Sequence, residues 1–166
     1  MQDFLSNTSL VLGNVSLEPF YQLLLASLLC GILGMERELV HKPAGVRTYS
    51  LVGMGSALFT ILSVDGFQGI GGVVDPTRIA AQVVVGVGFL GAGMIYSQGE
   101  KIQGITTAAG IWVAAAIGMT IGLKLYALGF FAAMLSLVIL VVFWVIEERV
   151  IKSRKPWRHH THNTDV

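Results

Sequence analysis

Apolar residues along this chain fall into five long runs separated by short polar or glycine-rich breaks, and neither the two-residue alternation of strands nor a soluble amphipathic stripe organises them. The runs predict an all-α polytopic membrane protein with five transmembrane helices at about 20–35, 46–64, 79–96, 105–123 and 125–146. Glu18-Pro19 opens the first run and Glu36-Arg37-Glu38 stops it, which places Glu36 at or just inside the membrane interface. His41-Lys42-Pro43-Ala44-Gly45 breaks the chain before the second run, which Arg47 opens. A glycine-rich connection from Asp65 to Val74 leads to the third run, and Ser97-Gln98-Gly99-Glu100-Lys101 returns the chain into the fourth. Residues 1–148 therefore form a transmembrane domain, and 149–166 a basic tail.

The third run is the most informative. Asp75 is placed to cap a helix that starts at Pro76, since a short carboxylate accepts an orphan N–H and proline suits the first turn. Arg78 lies within reach of Asp75, and Gln82 continues the same face one turn deeper. Beyond them Gly86, Gly88, Gly91 and Gly93 strip side chains from the helix, a composition suited to close packing in lipid. Gly86-x-Gly88-x-x-Gly91 also matches a dinucleotide-binding fingerprint. That motif needs an acidic residue about twenty positions on, and residues 103–111 contain none, so no nucleotide cofactor is expected.

The other runs differ in texture. Ala26, Cys30 and Gly34 give the first a smooth face, and Gly110, Ala114, Gly118 and Gly122 form a ladder in the fourth, which predicts that this helix is central. The fifth is bulky nearly all round and is expected to face lipid. Trp112, two turns into the fourth run, is assigned to helix packing, and Cys30, the single cysteine, is assigned to packing as well.

Composition agrees with this reading: 166 residues, 54% hydrophobic and 13% charged, with a mean hydropathy of +0.71. Nothing in Met1–Val15 has the basic start of a cleaved leader. The net charge of +1 is less telling than its distribution. Arg37, Lys42, Arg47, Lys101 and the basic tail from Arg149 share one side of a five-span chain, whereas Arg78 and Lys124 occupy the other. The positive-inside rule then puts the N-terminus outside and the tail in the cytoplasm. Tyr21 and Tyr126 would mark the outer interface, and Tyr49, Tyr96 and Trp144 the inner one. The tail's basic residues suit lipid headgroups, and His159, His160 and His162 lack the acidic or cysteine neighbours that would close a metal site.

Two polar clusters carry the candidate chemistry. The inner one comprises Glu36, Arg37, Glu38, Arg47, Thr106 and Thr107, and two readings stay open for it: a divalent-ion or partner-docking site, or a set of interfacial ion pairs. The outer one comprises Asp65, Asp75, Arg78 and Gln82; Arg78 and Gln82 begin a run, and polar side chains at membrane depth belong against a bundle interior or a cavity. No Asp or Glu lies inside a run away from its ends, so one chain offers no acidic path for a cation. No paired nucleophile and base, closed metal motif or phosphate loop is present, so no enzyme activity, cofactor or nucleic-acid partner is expected.

Five stretches together give the chain a family resemblance: Gly34-Met35-Glu36-Arg37-Glu38, Ala44-Gly45-Val46-Arg47-Thr48, Leu51 to Phe59, Asp75 to Ile95 and Gly104 to Trp112. Across about residues 31–123 it resembles the MgtC/SapB family of bacterial inner-membrane proteins. The resemblance implies a role in growth under low magnesium and in survival inside host cells, though members differ in whether they affect virulence. It further implies action as a small membrane regulator, including restraint of the F-type ATP synthase, with a membrane-protein partner or a homo-oligomer in the lipid bilayer. An oligomeric transporter of magnesium or another cation is the alternative. Longer members carry a soluble C-terminal domain, and this chain, ending about twenty residues after its last run, resembles a short member without it.

Overall fold

The computed structural model describes residues 17–66, 75, 77–99 and 101–151. Five helices follow in order: α1 (Glu18–Leu39), α2 (Val46–Val64), α3 (Thr77–Gly93), α4 (Ile105–Gly122) and α5 (Tyr126–Ile146). A two-stranded antiparallel hairpin, β1 (Tyr96–Gln98) and β2 (Lys101–Gln103), joins α3 to α4, and a π-helical turn, Glu147–Ile151, extends α5. The fold is an all-α polytopic membrane bundle. Among the described residues three helices are long and apolar enough to cross a bilayer by themselves: Glu18–Leu39, Ile105–Gly122 and Tyr126–Arg149. At 17 residues Thr77–Gly93 is a shorter apolar helix, about 26 Å long at the helical rise of 1.5 Å per residue.

Close approaches set the helix directions. Gly34 lies against the backbone of Gly45 and Val46, while Gly53 lies against Cys30, so α1 and α2 run antiparallel. Gln22 reaches Ile121 and Arg37 reaches Thr107, which makes α1 and α4 antiparallel as well. Glu18 meets Lys124 and Tyr126, so α1 and α5 start at the same end. α1 and α2 thus run in opposite directions, as do α4 and α5, an alternation compatible with consecutive membrane passes.

α4 packs against each of the other four helices. Its small residues make this possible, because they let backbones meet where larger side chains would hold them apart. Gly118 sits on the carbonyl of Gly53, Gly122 faces Ala57 and Thr60, Gly110 holds the Tyr49 hydroxyl, and Ala114 is fully buried. The Cys30 thiol, 3.4 Å from the carbonyl oxygen of Ala114, fills the three-way seam of α1, α2 and α4. By contrast α5 buries only Gly129 and Ala133 and turns Phe130, Phe131, Val138 and Phe143 outward, an exterior suited to lipid.

Several sequence expectations are corrected. α1 does not stop at Met35; it continues through Glu36, Arg37 and Glu38 to Leu39, so its 22 residues span about 33 Å. The third helix ends at Gly93 instead of 96, because Met94 and Ile95 turn back to donate to the carbonyls of Gly91 and Ala92, and Tyr96 already belongs to β1. Tyr49 is not an interface marker but is completely buried. Trp112 is 51% exposed and forms no part of the packed seam. The glycine-rich connection at 67–74 and the tail beyond 151, with its histidines, lie outside the described residues.

Candidate functional site

The last turn of α1 and the first turn of α4 build the inner cluster. Pro43 and Gly45 end one helix and permit the next, and α2 has no side-chain cap of its own at Gly45. Glu38 fills that role, its Oε2 accepting from the Val46 N–H at 3.1 Å. On the facing side the hairpin delivers the chain to Gly104, whose φ of 89° and contact with the Met94 carbonyl exclude a Cβ; α4 starts immediately after it.

Arg37, only 4% exposed, donates from Nη2 to Thr107 Oγ1 at 3.3 Å, and its Nη1 lies 3.8 Å from Glu36 Oε2. Tyr49 brings its ring into the same region from α2, opposite Gly110. Buried polar atoms ordinarily find partners, because an unpaired one forfeits its hydration without return. Here both Glu36 carboxylate oxygens, Arg37 Nε and the Tyr49 hydroxyl have no hydrogen-bond partner among the described residues. Beside them lies a cavity of about 870 Å³, reached by Arg37, Lys42, Gly104, Thr107, Trp144 and Glu147.

Of the six residues assigned to this cluster, Glu36, Arg37 and Thr107 come together. Glu38 serves as the cap of α2, while Arg47 and Thr106 are exposed, Thr106 on the wall of the cavity and Arg47 outside its lining. The arginine changes the chemistry. A guanidinium at the centre suits an anion, and among the described residues no three His, Cys, Asp or Glu side chains gather to hold a metal ion.

At the opposite end Asp75 does not pair directly with Arg78. Its Oδ1 instead accepts from the Thr77 N–H at 2.9 Å and the Thr77 hydroxyl at 2.7 Å, and these bonds hold the carboxyl below its usual pKa with a smaller contribution from the Arg78 charge. Thr77 wins because a short hydroxyl two residues on closes a local turn at little conformational cost. Arg78 and Gln82 are exposed at the edge of a groove of about 650 Å³ between α2 and α3, with Gly55, Phe59 and Gly86 along it. Of the four α3 glycines, Gly91 lies against Ala108, whereas a Cβ at Gly86, Gly88 or Gly93 would meet nothing within 4 Å among the described residues.

Sequence reasoning missed the burial of Gln22 and Tyr49, and of Ser56, Thr60 and Ser63 along α2. Gln22, 1% exposed, donates Nε2 to the carbonyls of Ile121 at 2.8 Å and Gly122 at 3.1 Å, closing the end of α4. A lone glutamine one turn inside an apolar run was the available signal. Tyr49 opposite Gly110 left no such trace, since the match of a large side chain to a missing one lies on two helices far apart in sequence.

Comparison with known proteins follows the same lines. A family model described as the MgtC family matches residues 23–149. The Escherichia coli K12 protein named "Putative magnesium transporter YhiD" is 49% identical over 140 residues, covering 82% of this chain and 65% of that protein. SrpB of Synechococcus elongatus is 37% identical over 147 residues, 82% of this chain and 80% of its own length. MgtC of Brucella abortus is 45% identical over 97 residues, 58% of this chain and 39% of its own. The chain therefore spans less than two thirds of the YhiD length and less than half of the Brucella protein. No solved structure matches.

Proposed function

The chain belongs to the MgtC family, and from that membership we propose that it is a non-enzymatic inner-membrane regulator linked to magnesium limitation, acting by contact with another membrane complex. The observation that carries this reading is the outward face of α3. That helix buries only Val87 and Gly91, and it leaves Gly86, Gly88 and Gly93 open where every ladder position of α4 is filled. Bare glycines let a second helix approach its backbone closely, and Arg78 with Gln82 at the head of the groove supplies donors that hydrocarbon would leave unpaired. The matching partner is a transmembrane helix with a small-residue face and a carboxylate or free carbonyl level with Arg78. The F-type ATP synthase, named by the family resemblance, is the complex to test first. The Arg78 head of the groove lies at the α1 N-terminal end of the bundle, the outer end if the basic residues face the cytoplasm.

Gly86→Leu fills the open face and Arg78→Ala removes the donor without touching the packed seam. Both should abolish growth at low magnesium in a strain that depends on this protein, at unchanged abundance in the membrane. Vesicles reconstituted with the pure protein should show no magnesium flux. Saturable magnesium uptake by those vesicles would overturn the proposal in favour of an oligomeric cation transporter, the activity named for the Escherichia coli relative.

A further inference from the structure

The cavity at the other end of the bundle, beside Arg37, has no part in that contact and carries its own chemistry. α4 opens with the N–H groups of Ile105, Thr106 and Thr107 unclaimed among the described residues, since Gly104 offers no side-chain cap and the first helical bond runs from the Ala108 N–H to the Gly104 carbonyl. Such a start presents partial positive charge and ready donors. Any helix start shares that property. What distinguishes this one is Arg37, more than nine-tenths buried, which lines the same cavity and leaves Nε without an acceptor while Nη2 is committed to Thr107. Lys42 adds a second cation to the lining and is in ion-pair contact with no carboxylate among the described residues.

Two carboxylates oppose an anion here. Glu147 lies on the cavity wall, and Glu36 approaches Arg37 Nη1 at 3.8 Å without reaching hydrogen-bond distance. Neither satisfies Nε. The remaining wall is mixed: Phe143 and Trp144 from α5 and Ile102 from the hairpin give it a hydrocarbon side, while His41, Tyr96, Gln103 and Thr106 add polar groups beside the cationic floor.

We propose that this cavity binds a phosphate group, with Arg37 and Lys42 pairing with its oxygens and the Thr107 hydroxyl and first-turn N–H groups of α4 completing the site. A tetrahedral oxyanion fits because it accepts from several directions at once, whereas a single carbonyl or halide cannot use a guanidinium, a hydroxyl and backbone donors together. The phosphate belongs either to an anionic phospholipid, its chains against the hydrocarbon side, or to a soluble phosphate.

Trp144 on the wall reports occupancy. The full chain carrying Trp112→Phe and Trp157→Phe, in a neutral detergent, is titrated with inorganic phosphate; the same protein in phosphatidylcholine nanodiscs is compared with discs containing phosphatidylglycerol. A saturable Trp144 response in the first arm identifies a soluble phosphate, and one in the second alone identifies a lipid headgroup. Lys42→Gln and Thr107→Val should each weaken the response about tenfold, and Arg37→Gln should abolish it. Arg47→Gln removes a cation from the same end that does not line the cavity, and should leave the response unchanged. If Arg37→Gln does not fold, the Lys42→Gln and Thr107→Val variants decide. Silence of Trp144 in both arms, or equal responses from the Lys42→Gln and Arg47→Gln variants, would overturn the proposal.

Discussion

Gly118 of α4 rests directly on the backbone carbonyl of Gly53 of α2, with no room for a side chain on either helix. A Cβ at 118 would have to displace backbone, and neither helix can yield without opening the seam that also holds Cys30 and Ala114. Gly118→Ala should therefore cost about 1–3 kcal/mol by overpacking, and Gly118→Leu should prevent accumulation of folded protein. Phe131→Ala, on a side chain 63% exposed, should leave the melting temperature in detergent nearly unchanged. Equal stability of the Gly118→Leu variant and the parent would remove α4 from the centre of the bundle.

Gln22 closes the far end of the same helix. Replacing it with Leu keeps the volume but leaves the Ile121 and Gly122 carbonyls without their buried donor, at a cost of about 1–3 kcal/mol. Gln22→Glu should be worse, since an ionised carboxylate offers no donor and faces two carbonyl oxygens. Denaturant titration in a single detergent is the measurement, and a stability rise in Gln22→Leu would show that water already serves those carbonyls.

The Glu18 and Lys124 pair, 2.7 Å apart but roughly half exposed, looks stronger than it should prove. A double-mutant cycle should show only a weak coupling that declines with salt. The hydrogen bond from Lys124 to Glu18 raises the lysine pKa above its usual 10.5, so its contribution is complete below that value and is lost as pH climbs through the folded pKa. Glu18→Gln should abolish this alkaline sensitivity, and a cycle energy that grows with pH above that range would contradict it.

Helix directions make orientation testable at single residues. The hairpin and the α1–α2 turn lie at one end, the α4–α5 turn at the other. An impermeant maleimide should label Leu125→Cys in intact cells and Ser97→Cys only after lysis, if the basic end faces the cytoplasm. Buried Cys30 leaves the parent unlabelled. The reverse pattern would invert the topology without altering the fold.

Number, type and order of the helices, and their membrane character, were legible from sequence because length and hydropathy are local properties that bilayer thickness reads directly. The ladder through Gly110, Ala114, Gly118 and Gly122 could be seen as well, since a four-residue repeat of small residues marks a helix face whatever its partner. Partners were another matter. Which helix fills the Gly110 notch, why Asp75 turns to Thr77, and that Arg37 buries itself against Thr107 while Arg47 stays outside depend on contacts that helix packing and local turn geometry decide. Sequence placed six polar residues at one end; packing drew Glu36, Arg37 and Thr107 inward and added Tyr49, because α1 continues to Leu39 and carries its charges into the bundle. A charge's chemistry follows from burial and neighbours, and only the tertiary structure sets those.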